Sequence, residues 1–146
     1  MSAEANAAAA KRVLDEAFNQ GRLEVLDEVL SPDVVSHDPA EPADLRGIDA
    51  HKERVAGYRA AMSDLTVTAD DVIATGDRVC IRWHVTGTND GELQDIPATG
   101  KKVEFMGISI DRFDSDGKIA ETWDSWDNAG FMAQLGLAPE LAAQAS

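Results

Sequence analysis

The sequence predicts an α+β fold, with helices in the first half of the chain and antiparallel strands in the second. Before Asp64, apolar residues recur at steps of three and four, which is the period of amphipathic helices. After Asp64, β-branched and aromatic residues dominate, and short turn sequences separate the runs. Helices followed by hairpin-linked strands are typical of α+β domains. About three helices packed on a curved sheet of about four long strands can enclose a pocket.

Four helices are predicted. The first covers residues 7–20 and ends at Gly21, and a second short helix over residues 23–30 is stopped by Pro32. A third follows Gly47 and carries apolar residues at helical spacing up to Met62. The last covers residues 128–135, with Gly136 as its cap.

Four long strands are predicted over residues 65–74, 78–88, 102–113 and 118–126, and a short strand at Val34 and Val35. Thr-Gly-Asp at 75–77 and Asp-Ser-Asp-Gly at 114–117 are typical of tight hairpin turns. Residues 40–46 and 89–100 are expected to be exposed loops.

Length and charge narrow the function classes. The chain has 146 residues, the size of a single domain over 1–146, and no linker or repeat divides it. Its 13 basic and 27 acidic residues give a net charge of −14, which argues against nucleic-acid and membrane partners. Neither an apolar segment long enough to span a membrane nor a signal sequence is visible, so we expect a cytoplasmic protein.

Several kinds of site are not expected. The single cysteine, Cys80, excludes an internal disulfide and multi-cysteine metal sites. His37, His51 and His84 lie on different predicted elements without metal-ligand spacing, so no metal is expected. The sequence contains no glycine-rich phosphate loop and no Gly-x-Ser-x-Gly nucleophile motif.

The last predicted strand carries the main catalytic candidate, Asp124. Strand alternation places Asp124 on one face together with Thr122 and Trp126. A carboxylate among aromatic and aliphatic neighbours loses hydration, which raises its pKa and suits it to acid/base catalysis near neutral pH. Two other interpretations remain: Asp124 caps the helix that begins near residue 128, or it points to solvent.

The neighbours of Asp124 depend on the hairpin register. On the preceding strand Phe105 and Ser109 share one face and Met106 the other, and a shift of one residue exchanges the two faces. On the strand before that, His84 lies on the face opposite Trp83. Either face can be the concave one.

The order of several short motifs resembles the SnoaL-like polyketide cyclase (ester cyclase) family, within the nuclear-transport-factor-two-like superfamily. Each motif is weak alone, but their order and spacing together cover nearly the whole chain. The motifs are Phe-Asn-Gln-Gly at 18–21, Leu-Ser-Pro-Asp at 30–33, Met-Ser-Asp-Leu at 62–65, Gly-Asp-Arg-Val at 76–79, Gly-Thr at 87–88, Ile-Pro-Ala-Thr-Gly-Lys at 96–101, Asp-Gly-Lys-Ile at 116–119, Trp-Asp at 123–124 and Gln-Leu-Gly at 134–136.

This resemblance implies a cone-shaped barrel, in which a strongly curved, mainly antiparallel sheet and three to four helices enclose an apolar pocket. It also implies homodimers or larger homo-oligomers. Enzymes of this kind close a ring by intramolecular aldol condensation without metal or cofactor. The acid/base aspartate of the family matches Asp124.

The sequence departs from the family at Ser109, where a characterised cyclase has histidine. Asn89 and Ala98 are further departures, at positions where related sequences have histidine and proline. Besides Asp124 as catalytic residue, the residues expected to bind a hydrophobic carbonyl or ester substrate are His37, Tyr58, Trp83, His84, Phe105, Met106, Ser109 and Trp126. The alternatives are an epoxide hydrolase, isomerase or dehydratase in the same pocket, or a protein that only binds a hydrophobic small molecule.

Overall fold

A computed structural model describes residues 2–137, so residue 1 and residues 138–146 of the predicted domain lie outside the described residues. The α-helices are α1 (Ala3–Arg12), α2 (Val25–Val29), α3 (Ile48–Ala61) and α4 (Asn128–Gln134), and a π-helical segment (Val13–Phe18) continues α1. The strands are β1 (Leu30–His37), β2 (Leu45–Arg46), β3 (Thr66–Thr75), β4 (Arg78–Thr88), β5 (Lys102–Phe113) and β6 (Ile119–Trp126).

All six strands form one sheet in the order β2-β1-β6-β5-β4-β3. Neighbouring strands are antiparallel except for β1 and β6, which run parallel. The α+β class and the mainly antiparallel sheet are therefore confirmed. The parallel pair is an addition that the sequence pattern did not indicate.

The first helix starts earlier than predicted. The Ser2 hydroxyl accepts a 3.0 Å hydrogen bond from the Ala5 backbone N–H, which satisfies one of the free donors of the first turn. At the other end the helix widens into the π-helical segment, whose Val13, Leu14 and Phe18 face the interior. This wider turn lies above the inner face of the sheet.

The boundary between α2 and β1 also differs from the expectation. The helix ends at Val29, three residues before Pro32, and the strand begins at Leu30 instead of Val34, so Pro32 lies within the strand. The pairing of β1 with β6 shifts register between Leu30 and Val35, and this irregularity accommodates a proline that cannot donate to the sheet. The predicted loop 40–46 contains the two-residue strand β2.

The β5–β6 hairpin settles the register that the sequence left open. Ser109 lies directly opposite Asp124, so the face of β5 that carries Phe105 and Ser109 is the inner one. Gly117, with φ of 77°, supplies the left-handed turn conformation that fixes this register. The outer face of β5 carries Met106 and its even-numbered neighbours.

The helices cover the inner face of the sheet, as predicted. The side chain of Asn19 fastens the end of the π-helical segment to β3, because it accepts from Val67 N at 2.7 Å and donates to Val67 O at 2.8 Å. Arg59 of α3 donates to the Phe18 carbonyl at 2.6 Å. Within the described residues, none of the helices has both the length and the apolar character needed to cross a membrane.

The outer face of the sheet carries large exposed apolar side chains, which we call the outer strip. Three of them alternate along β5, and the fourth lies on β3 at the level of Ile110, with Cys80 of β4 between; Met106 is 47% exposed. The outer strip consists of Ile73, Met106, Ile108 and Ile110.

Candidate active site

A cavity of about 140 Å³ lies between the inner face of the sheet and the helices α1 and α3. This volume is close to that of an apolar cavity of about 150 Å³ that binds benzene. Most of its wall is aliphatic or aromatic, which favours a hydrophobic ligand. The polar side chains that reach it are Ser36, Asp38, His51, Arg54, Tyr58, Ser109, Asp111, Thr122 and Asp124.

Aromatic rings form one end of the cavity. The ring centroid of Phe105 lies 5.1 Å from that of Trp126 and 5.0 Å from that of Phe131, and Trp83 meets Phe105 edge to face at 6.5 Å. Gly107 makes this packing possible, because a Cβ atom there would lie 2.5 Å from the Trp83 ring. The rings are inclined to one another by 42° to 80° and form an apolar aromatic wall that favours an aromatic or polyunsaturated ligand.

Asp124 projects from β6 into the cavity, where one side chain hydrogen-bonds its carboxyl group and two others lie near it. The Ser109 hydroxyl donates to Asp124 Oδ1 at 2.5 Å. The Thr122 hydroxyl lies 3.5 Å from Oδ2, and Arg54 Nη1 lies 3.9 Å from the same oxygen. The interpretations of Asp124 as a helix cap or a solvent-exposed residue are corrected, since Asp127 caps α4 and Asp124 lines the cavity.

Burial raises the pKa of Asp124 above that of a free aspartate, and the charge of Asp38 raises it further. The Arg54 guanidinium and the hydrogen bond from Ser109 act in the opposite direction and lower the pKa. The net direction is upward. A carboxyl group with a raised pKa is both a stronger base and a usable acid near neutral pH.

Ser109 is the residue that stands where a characterised cyclase has histidine. Its oxygen accepts from the Trp83 indole N–H at 2.9 Å, which leaves its own proton for Asp124. Ser109 therefore orients the carboxyl group instead of exchanging a proton with it, since a serine hydroxyl does not titrate in this range.

His51 lies beside the cavity but is already engaged on both ring nitrogens. Its Nδ1 lies 2.6 Å from the Gly47 carbonyl, so Nδ1 carries the proton, and the Ser36 hydroxyl donates to Nε2 at 2.5 Å. Ser36 in turn accepts from the Thr122 hydroxyl at 3.1 Å. Burial lowers the pKa of His51 to about 4, so the ring is neutral and orients Thr122 through Ser36.

Arg54 and Asp111 are site residues that the sequence reasoning missed. Arg54 lies between His51 and Tyr58 on the face of α3 that lines the cavity. A charged residue on a helix face that otherwise packs into the core indicates a site residue, and the sequence shows this pattern. Asp111 shares the inner face of β5 with Ser109. Burial and the charge of Asp124 raise the pKa of Asp111 to about 8.

Six of the nine predicted site residues line the cavity. They are Tyr58, Trp83, Phe105, Ser109, Asp124 and Trp126. Burial raises the pKa of Tyr58 to about 12, so its hydroxyl stays protonated. The Trp126 indole N–H donates to Asp38 Oδ2 at 3.1 Å, which holds Asp38 at the cavity entrance.

The other three lie elsewhere, and the expectation that they line the cavity is corrected. His84 and Met106 are on the outer face of the sheet, because β4 and β5 turn the opposite set of side chains inward; His84 lies 2.7 Å from Asp70 there. His37 stacks on Trp123 and borders a groove that Ile108 and Ile110 of the outer face also line. Hydrogen bonds to Glu121 at 2.6 Å and Asp44 at 3.0 Å raise its pKa.

Among residues 2–137, no three His, Cys, Asp or Glu side chains converge as they would around a metal ion. Cys80 is half-buried in β4 and does not line the cavity. The chemistry that this arrangement offers is proton transfer by carboxyl groups inside an apolar cavity.

Many solved structures share this fold, and three of them serve as examples. TsrD from Streptomyces laurentii is 29% identical with a TM-score of 0.82, and the match covers 94% of this chain and 98% of that chain. IdmH from Streptomyces antibioticus, a proposed polyketide cyclase, is 32% identical with a TM-score of 0.76, covering 90% and 98%. A Catenulispora acidiphila protein with a ketosteroid isomerase-like fold is 18% identical with a TM-score of 0.73, covering 90% and 93%.

These likenesses confirm the predicted cone-type fold with a curved sheet, which in this chain is open. No curated protein matches the sequence. The family model of the SnoaL-like polyketide cyclases matches residues 8–135, which is nearly the whole described part of the chain. The protein is therefore a member of the SnoaL-like polyketide cyclase family.

Proposed function

We propose that the protein is a cofactor-independent acid/base enzyme that closes a ring by an intramolecular aldol-type reaction in a hydrophobic carbonyl or ester substrate. Asp124 is the acid/base group. The observation that carries this proposal is a half-buried carboxyl with a raised pKa, which lines an apolar cavity in a chain of the cyclase family.

The proposed reaction needs only proton transfers within the substrate. Asp124 removes a proton from the carbon next to a carbonyl, and the electrons of the broken C–H bond form an enolate. The enolate carbon attacks a second carbonyl of the same molecule, so that a C–C bond forms and a C=O bond becomes an alkoxide. The proton held by Asp124 then passes to that alkoxide oxygen, and the carboxylate is restored.

The cavity wall supports the substrate class. The aromatic surface of Phe105 and Trp126 offers stacking area to a flat ring, and burial of that ring contributes binding free energy in proportion to the apolar area removed from water. Arg54, 3.9 Å from Asp124, is the one cation among the cavity-lining side chains of the described residues. It favours the ionised carboxylate before the first proton transfer.

Acetophenone is a small probe for the first step, since it carries a carbonyl, exchangeable α protons and an aromatic ring. We expect the protein to accelerate the exchange of its methyl protons for deuterium in D2O, measured by proton NMR. Asp124→Asn should lower this rate by about 100-fold or more. The matched control, Asp116→Asn in the exposed turn after β5, should leave it unchanged.

Exchange that is unaffected by Asp124→Asn would overturn the assignment of the base. Binding of acetophenone without exchange would favour a protein that only binds hydrophobic molecules. Exchange together with isomerisation of a β,γ-unsaturated ketone, but no ring closure of a diketone, would favour an isomerase.

We also propose that a second copy of the chain covers the outer strip. Ile73, Met106, Ile108 and Ile110 are between 39% and 64% exposed, and large apolar patches of this kind are typical of protein–protein contacts. The charged pair of Arg82 and Asp71 on the same face is already satisfied within one chain at 2.7 Å, so it does not oppose contact with a second copy. The oligomeric state in solution tests this proposal.

A further inference from the structure

The cavity contains a second carboxyl group, that of Asp111. On the inner face of the β5–β6 hairpin, Asp111 lies opposite Thr122. This is the next pair on that face after Ser109 and Asp124. Asp111 and Asp124 are therefore diagonal neighbours on the same face, and the Cα atoms of such neighbours lie roughly 7 Å apart. Both side chains line the cavity, so a ligand bound there meets both carboxyl groups.

The two carboxyl groups differ in their surroundings. Asp124 receives a hydrogen bond from Ser109 and faces Arg54. Asp111 is 9% exposed, and among residues 2–137 no donor hydrogen-bonds to its carboxyl group, which opens onto the cavity. Its carboxyl group is reached from the cavity, where a ligand can form a hydrogen bond with it.

The charged and titratable groups around Asp111 come from three elements. Helix α3 contributes Arg54, neutral His51 and neutral Tyr58, β6 contributes Asp124, and Asp38 follows β1. The cation Arg54 is directed at Asp124. Burial and the negative charge of Asp124 raise the pKa of Asp111 to about 8, so Asp111 holds a proton at neutral pH. Burial also raises the pKa of Asp124, but Arg54 and the hydrogen bond from Ser109 counteract this increase, and no such groups within residues 2–137 act on Asp111.

We propose that Asp111 is a second catalytic residue, which donates its proton to the substrate carbonyl oxygen while Asp124 removes the proton from the neighbouring carbon. This inference rests on the proposed function and divides its acid and base roles between two residues. The substrate class it specifies is a ketone or ester whose carbonyl oxygen and acidic carbon lie side by side between the two carboxyls.

The proposed enolisation and ring closure need no proton or electron from outside the protein and the substrate. As Asp124 takes the α proton, the C–H electrons form a C=C bond, the carbonyl π electrons move to oxygen, and the proton of Asp111 neutralises that oxygen. The product is an enol, with Asp124 protonated and Asp111 ionised. When the enol carbon attacks the second carbonyl, Asp111 recovers its proton from the enol oxygen and Asp124 gives its proton to the new alkoxide.

The ionisation state of Asp111 can be measured without a ligand. With ¹³C in the aspartate carboxyl groups, the NMR signal missing from Asp111→Asn identifies Asp111, and the one missing from Asp124→Asn identifies Asp124. We expect the Asp111 signal to titrate near pH 8 in the wild-type protein and at lower pH in Asp124→Asn, where the neighbouring charge is gone. An Asp111 that is ionised at pH 6 would overturn the inference.

The donor role is measured on bound acetophenone labelled with ¹³C at the carbonyl. We expect its infrared carbonyl band to shift to lower frequency in the wild-type protein and in Asp124→Asn. Asp111→Leu, which has no donor, should abolish the shift, whereas Asp111→Asn, whose amide still donates, should keep part of it. Both Asp111 variants should slow deuterium exchange by about 100-fold, since neither can supply a proton.

The outcomes separate this inference from the proposed function. A carbonyl band that is unshifted in the wild-type protein, or shifted equally in Asp111→Leu, would overturn the role of Asp111 alone. A shifted band without any deuterium exchange would overturn the enolisation chemistry and leave Asp111 as the donor to a bound carbonyl. Absence of acetophenone binding would overturn both.

Discussion

Ser109 and Asp124 face one another across the β5–β6 hairpin, and the Ser109 hydroxyl donates a 2.5 Å hydrogen bond to Asp124 Oδ1. The indole of Trp83 donates to Ser109 in turn, so one hydroxyl is held from two sides. A hydrogen bond to a charged group is about twice as strong as a neutral one. This contact fixes the carboxyl orientation and counteracts part of the pKa increase that burial causes.

Replacing Ser109 by alanine should therefore raise the pKa of Asp124, because the hydrogen bond that lowers it is lost. The pH at which the base becomes active should move upward, and the exchange rate at pH 7 should fall about 10-fold. A pH profile of acetophenone deuterium exchange checks both. Ser125→Ala, an exposed serine of the same strand, is the control, and an unchanged midpoint would contradict the prediction.

Asp111 should make the protein less stable as pH rises. Its pKa is raised from 3.8 to about 8 in the folded state, so between those values the unfolded chain releases a proton that the folded chain retains. The free energy of unfolding should fall over this window by on the order of 5 kcal/mol.

Asp111→Leu removes the titrating group, so the free energy of unfolding should no longer fall for this reason as pH rises. The leucine also fills the site with an apolar side chain. Urea unfolding at pH 5 and pH 8 measures the effect, with Asp116→Asn as an exposed control. The variant should gain stability relative to the wild-type protein at pH 8 and gain less at pH 5. A variant that is equally destabilised at both pH values would contradict the prediction.

His51 should act in the opposite direction at acidic pH. Burial lowers its pKa from 6.5 to about 4, so below pH 6.5 the unfolded chain binds a proton that the folded chain does not. The free energy of unfolding should fall by about 3 kcal/mol as pH decreases from 6.5 to 4. Urea unfolding between pH 6.5 and pH 4 measures this decrease, and the His51→Gln protein should not show it. The control His84→Gln changes a histidine on the outer face and should show the same decrease as the wild-type protein.

Ile108 tests the proposed contact between two copies of the chain. It is 43% exposed and central in the outer strip, so Ile108→Glu should place two buried like charges near a two-fold axis. Light scattering coupled to gel filtration should give a dimer for the wild-type protein and a monomer for the variant. Ser115→Glu, in the exposed hairpin turn, is the control, and a wild-type monomer would contradict the proposal.

The bounds of the long strands were predicted closely from the sequence. Long runs of β-branched and aromatic residues between Gly-containing turns leave few other positions for the strand ends. β4 and β5 have the predicted bounds, 78–88 and 102–113. The pairing of β1 with β6 was not predicted, since a parallel contact over a long stretch of chain leaves no local pattern. The π-helical segment also lacks a signal in residue periodicity.

The site was predictable only in part, because the sequence does not determine the register of the β5–β6 hairpin. Strand alternation groups Phe105, Ser109 and Asp111 on one face, but a single-residue shift in the hairpin would have turned that face outward. Met106 and His84 were included among the candidates because this choice was open. Arg54 approaches Asp124 from a distant helix, and a contact of that kind depends on tertiary packing alone.

The parallel contact between β1 and β6 has a kinetic consequence. It joins Val35 to Glu121, and the strand that carries Asp124 is sandwiched between the N-terminal strand and β5. Pairings over such a sequence separation raise the contact order and slow folding. During synthesis, β1 must wait for nearly the whole chain to emerge before it can dock. Strand β6 is therefore among the last elements to gain its full protection from hydrogen exchange.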